Sequence, residues 1–116
     1  MTDLTVVTRG IRTGALLALA GELDYHTAPE AREALAAITV TSGQQLIIDL
    51  SGLTFCDSSG IATFIAARNH ALAAGADIAL TGVPDRVARI LHIVGLDRVL
   101  VTYPTIQAAA EAHSPQ

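Results

Sequence analysis

Apolar side chains come first in two short runs, LTVVTR at residues 4–9 and ALLALA at residues 15–20, separated by the turn-like IRTG. So short a link predicts an antiparallel β-hairpin. The period then changes. After GELDYHT, the residues Ala31, Ala34, Leu35 and Ile38 recur at helical spacing. Thr27 as N-cap with Glu30 three positions on makes a capping box, and Pro29 is tolerated in the first turn. Residues 39–45 read as a loop around Gly43. LIIDL at residues 46–50 is almost continuously apolar, as expected of a strand covered on both faces.

Beyond Ser51-Gly52 and the junction FCDSSG, Ile61, Phe64, Ile65 and Leu72 mark the inward stripe of a second helix. Gly75 stands where a helix-ending glycine belongs. DIALT at residues 77–81 predicts a strand. Residues 84–94 predict a helix with Val87, Ile90, Leu91 and Val94 facing inward, closed by Gly95. Residues 99–102 are the last strand, and residues 106–112 a short alanine-rich helix. The predicted order is β-β-α-β-α-β-α-β-α, an α/β fold. Its sheet is mixed and mostly parallel, with an antiparallel N-terminal strand, right-handed crossovers and helices packed against it. No linker, repeat or low-complexity tract interrupts the chain. One domain is expected over residues 1–112, with residues 113–116 a frayed tail.

This order has a functional consequence. If strands 15–20 and 46–50 are parallel, GELDYHT and FCDSSG leave the same edge of the sheet, where function collects in parallel sheets. Composition narrows what that edge does. At 116 residues, 51% hydrophobic and 16% charged, the chain is too apolar for disorder, and with 3% aromatics its core is aliphatic. A net charge of −4, with seven arginines scattered along the chain and no lysine, argues against a nucleic-acid partner. The start MTDLTVVTRG lacks a signal pattern, and GALLALAG is far shorter than the roughly 20 residues of a membrane helix. The expectation is a cytoplasmic protein with no membrane partner.

FCDSSG holds more polar groups than one helix cap requires. Asp57, Ser58 or Ser59 can accept hydrogen bonds from the first turn, and Gly60 removes bulk beside the serines so that a partner can approach the backbone. A nucleophile elbow needs G-x-S-x-G, and Cys56 stands where the leading glycine should be. A Ser58–His26–Asp24 hydrolase remains conceivable, but no base is fixed beside the serine. His26, His70, His92 and His113 show no metal-ligand spacing, and no phosphate-binding glycine pattern is present, so no metal or cofactor is expected. Cys56, the single cysteine, reads as a small buried side chain, without support for a redox role. Phosphorylation accounts for the junction better. A phosphate of about −1.5 to −2 charge at a helix start, beside Asp57, can repel a partner without any refolding.

The segments GELDYHTA, IIDLSGLTFCDSSGIA and LTGVPDRVARILHIVGLDRVL resemble the anti-sigma factor antagonists of the STAS family, over residues 4–102 or so. D-S-S-G after an apolar strand is the most specific element. The resemblance implies a non-enzymatic switch. The unphosphorylated form would bind an anti-sigma factor serine/threonine kinase and free the sigma factor. Phosphorylation of Ser58 would end binding, and a PP2C-type phosphatase would reset it. It further implies that Asp57, Ser59 and Gly60 shape the kinase-facing loop, with Asp24 beside it. Related domains also act as scaffold subunits of stress-sensing assemblies, which is the alternative reading.

Overall fold

The computed structural model describes residues 3–113, and the expected fraying of residues 114–116 lies outside them. The first two runs pair as drawn: β1 (Leu4–Ile11) and β2 (Gly14–Leu23) form an antiparallel hairpin closed by Arg12-Thr13. Then follow α1 (Ala28–Ala36), β3 (Gln45–Cys56), α2 (Ser58–Ala73), β4 (Asp77–Thr81), α3 (Asp85–Ile93), a 3-10 turn at Leu96–Arg98, β5 (Val101–Tyr103) and α4 (Ile106–Ala112). The strands line up in chain order, β1-β2-β3-β4-β5, with every pair after the hairpin parallel.

The two sheet faces are covered unequally. Leu17, Leu19, Leu46, Ile48, Leu50 and Leu80 meet Ala31 and Leu35 of α1, Phe64, Ala67 and Ala71 of α2, and Val87 and Leu91 of α3 in the main core. On the other face, Leu16, Ile47 and Ala79 pack against Ala109 of the seven-residue α4 alone. Both faces of β3 are therefore buried at Leu46–Ile48, which accounts for its unbroken apolar run. Gly75, with φ +76°, ends α2 in the left-handed conformation that favours glycine.

Several expectations need correction. Both β2 and β3 outrun their apolar segments: Gly21, Glu22 and Leu23 pair with Leu53, Phe55 and Cys56, past register shifts that follow Ala18 and Gly21. Ser51-Gly52 is thus an irregularity within a strand. A side chain at Gly52 would strike Ala20, so the two strands stay paired only because residue 52 has none. Since β4 pairs no further than Asp49, the last residues of β2 and β3 project beyond it as a narrow ribbon.

The stripe assigned to α2 is also wrong in part. Ile65 and Leu72 are exposed, and the buried face is Gly60, Thr63, Phe64, Ala67 and Ala71, mostly small residues that let the helix lie close to the sheet. Val94 is exposed too, because α3 has ended and Gly95 turns the chain away. The last strand begins at Val101, the residues before it being taken up by the 3-10 turn and the buried Leu100. His113 is not frayed: its side chain is only 4% exposed, with Nε2 2.9 Å from the Gly43 carbonyl and Nδ1 3.3 Å from Asp77. Among the described residues, no helix is long and apolar enough to cross a membrane.

Candidate functional site

The ribbon end of β2 and β3 carries both polar segments to one place. The Asp57 N–H donates to the Leu23 carbonyl (3.2 Å), which continues the strand pairing into the start of α2. The Asp57 carboxylate then divides. Oδ1 accepts the N–H groups of Ser59 (2.8 Å) and Gly60 (3.3 Å), the side-chain N-cap of α2. Oδ2 accepts the Tyr25 N–H (3.2 Å) from the other loop. One carboxylate therefore caps a helix and clips GELDYHT to FCDSSG, so the shared edge is one surface.

Asp24 works inwardly. It is buried, and its Oδ1 accepts the backbone N–H groups of His26 (2.9 Å) and Thr27 (3.0 Å). The capping box is not formed. Thr27 precedes α1, but its hydroxyl donates to the Glu22 carbonyl (2.7 Å) and accepts the Asp24 N–H (2.9 Å). The Thr27 backbone is already helical at φ −98°, ψ −19°, and its side chain serves the tight turn that leads into the helix.

Ser58 is exposed at the first position of α2, and no group among the described residues hydrogen-bonds its hydroxyl. Ser59 is half-buried, its N–H spent on Asp57 and its carbonyl accepting from Thr63 (3.0 Å). Gly60 is buried, contrary to the expectation that it opens the backbone to a partner. A Cβ there would collide with Cys56 Sγ and press on Leu23, so the missing side chain lets α2 seat against the strand ends. Cys56 is buried beneath. Desolvation first, and then the nearby Asp57 charge, push its thiol up to about 11, so it stays protonated near neutrality.

The hydrolase arrangement is not assembled. Asp24 bonds the backbone of His26 rather than its ring, and the exposed ring lies edge-on to Tyr25 with centroids 5.8 Å apart. No hydrogen bond joins His26 to Ser58 among the described residues. Likewise, no group of three His, Cys, Asp or Glu side chains gathers there as a metal site.

What the site does offer is an open groove of ≈ 680 Å³ between α1 and α2. Tyr25, Ala28, Pro29 and Ala62 give it apolar walls, while Ser58, Ser59, Arg32 and Glu33 supply polar groups. Tyr25 stands 76% exposed beside it. Sequence reasoning missed Pro29, Arg32 and Glu33 as site residues. Their i, i+3, i+4 spacing is the helical signal that found the buried stripe, read on the opposite face of α1.

Comparison with known proteins agrees with this architecture. Residues 5–109 match the STAS domain. The chain is similar to the anti-sigma-B factor antagonist of Listeria monocytogenes, at 35% identity over 82 residues, covering 71% of this chain and 72% of that protein. It is also similar to a solved anti-sigma factor antagonist from Mycobacterium paratuberculosis, at 28% identity and TM-score 0.77, covering 96% and 94% of the two chains. An anti-sigma-factor antagonist (STAS) domain protein from Planctomyces limnophilus shares the fold, with TM-score 0.79 at 20% identity and coverage of 98% and 99%.

Proposed function

The chain belongs to the STAS domain family, and on that premise we propose that it is an anti-sigma factor antagonist switched by phosphorylation of Ser58. Unphosphorylated, it binds an anti-sigma factor that is also a serine/threonine kinase, and so releases the sigma factor in the cytoplasm. The partner seats at the Ser58 edge, with an apolar side chain in the groove between α1 and α2. Phosphate on Ser58 ends the complex, and a PP2C-type phosphatase restores it. The protein itself catalyses nothing in this cycle.

The observation that carries this reading is the Ser58 hydroxyl. It is exposed and, among the described residues, unbonded at the mouth of α2, while its neighbours Asp57, Ser59 and Gly60 are committed to holding that mouth rigid. A hydroxyl needed for capping would be occupied, and here Asp57 has taken that role. The modification also needs no rearrangement, since the phosphate adds charge beside Asp57 and Glu33 at a preformed surface.

Incubation with the cognate kinase and ATP, followed by intact-mass measurement, is expected to show one added phosphate that is lost in Ser58→Ala. Calorimetry with the same kinase should find Ser58→Ala still binding and Ser58→Asp weakened at least about tenfold, near the 1.4 kcal/mol of one such step. Phosphate that persists in Ser58→Ala, or equal affinity of the two variants, would refute the proposal.

A further inference from the structure

With Ser58 as phospho-acceptor, the question is where its charge goes. In the transfer, Ser58 Oγ forms the new bond to the γ-phosphorus of ATP, the bond from that phosphorus to the bridging oxygen breaks, and the serine proton and ADP leave. A phosphate at a helix start ordinarily settles on free backbone N–H groups. Here most of those groups are taken: Ser59 and Gly60 donate to Asp57 Oδ1, and Ile61 donates to the Asp57 carbonyl (3.1 Å), which leaves the N–H of Ser58 itself. The helix dipole still favours negative charge, but the Ser59 and Gly60 donors that would hold a phosphate are already bonded to a carboxylate.

The groove offers another partner. Of the chain's seven arginines, only Arg32 lines the groove with Ser58. It is exposed, and neither ion pair among the described residues involves it. Its backbone is anchored, because the neighbouring Ala31 is wholly buried and Leu35 nearly so. A fixed base with a free, planar, five-donor head suits bidentate capture of a phosphate. The other charged residue lining this space is the acidic Glu33, and Asp57 adjoins Ser58 in the chain, which makes a cation there the more effective counter-charge.

We infer that Arg32 is the counter-charge of phosphorylated Ser58, drawn across the groove to pair with the phosphate. The modified state then differs from the unmodified one in two ways. It carries added negative charge, and a guanidinium–phosphate bridge lies over the apolar walls at Ala28, Pro29 and Ala62. Arg32 is thus a positioning residue for the off state, and it closes the surface that the partner would use.

The test installs phosphoserine at position 58 during translation, so it requires no kinase, and follows the 31P titration of the folded protein. Arg32→Gln is expected to weaken the second dissociation constant of the phosphate by up to about fivefold, the range of an exposed charge pair. Arg32→Lys should recover part of that shift. Arg12→Gln, at the hairpin turn on the opposite sheet edge, should leave the titration unchanged. The Arg32 effect should also shrink as salt is raised. Identical titrations for wild type and Arg32→Gln would overturn the inference while leaving Ser58 as a kinase substrate intact. Conversely, a Ser58 that its kinase never modifies would remove the parent reading without altering this titration.

Discussion

The starts of α1 and α2 lie side by side at the same edge of the sheet, and they spend their polar groups in opposite ways. At α1, Asp24 and Thr27 bond the backbone of their own turn and are buried by it. At α2, Asp57 reaches outward to Tyr25 as well as to its own helix, and no group among the described residues bonds the Ser58 hydroxyl. One loop is a closed knot, and the other is a support that holds an open hydroxyl in place. A cluster of Asp, Ser and Thr at a helix start therefore says little until its hydrogen bonds are counted. The residue that lacks a partner is the one available for chemistry.

That contrast can be broken most severely at Gly60. Gly60→Val should destabilise the protein by about 3 kcal/mol, since the added atoms collide with Cys56 and Leu23 beneath the start of α2. Urea unfolding would show it, and an unchanged midpoint would mean that α2 does not seat there as described.

The next test separates the two aspartates. Asp24→Ala and Asp57→Ala should each cost about 1–2 kcal/mol, through unsatisfied backbone donors and a lost cap. Amide hydrogen exchange should distinguish them. Asp24→Ala is expected to loosen His26 and Thr27 only, whereas Asp57→Ala should loosen Ser59, Gly60 and Tyr25 together. Asparagine at either site keeps an acceptor and should restore much of the protection.

A last effect appears only in alkali. Cys56 has its proton held more tightly in the folded state than in the unfolded chain, 9.0 moving to about 11. Its contribution to stability is therefore full below pH 9 and lost as pH rises through about 11, because the unfolded thiol ionises first. Stability measured from pH 8 to 11.5 should slope downward in wild type and less so in Cys56→Ala.

Element order, the hairpin, the single domain and the shared edge were legible because each rests on a local signal: period, turn length or a helix-ending glycine. Most of the misreadings share a cause, which is that partners outside the local pattern decided the outcome. Ser51-Gly52 looks like a strand terminus, yet β3 takes up its extra residues as irregularities against β2 and stays paired as far as Cys56. Ile65 and Leu72 look like core, yet the close approach of α2 selected Gly60, Ala67 and Ala71 instead. Thr27 and Glu30 match a capping box, yet Asp24 had already turned the chain. His113 looks terminal, yet Gly43 and Asp77 wait for it across the molecule. At the site, FCDSSG and Asp24 stood out as polar surplus, while Arg32 was hidden because an exposed helical arginine carries no signal until its neighbour across the groove is known.

The chain-order arrangement of the strands has a consequence for how the protein is made and how it can change. Each new strand joins the one before it, so the sheet can grow as the chain leaves the ribosome, without waiting for a distant partner. Every residue lining the groove falls between Tyr25 and Ala62. The groove is therefore spelled out by residue 62 of 116. The exposed positions of α3, β5 and α4 can acquire contacts of their own without altering the groove.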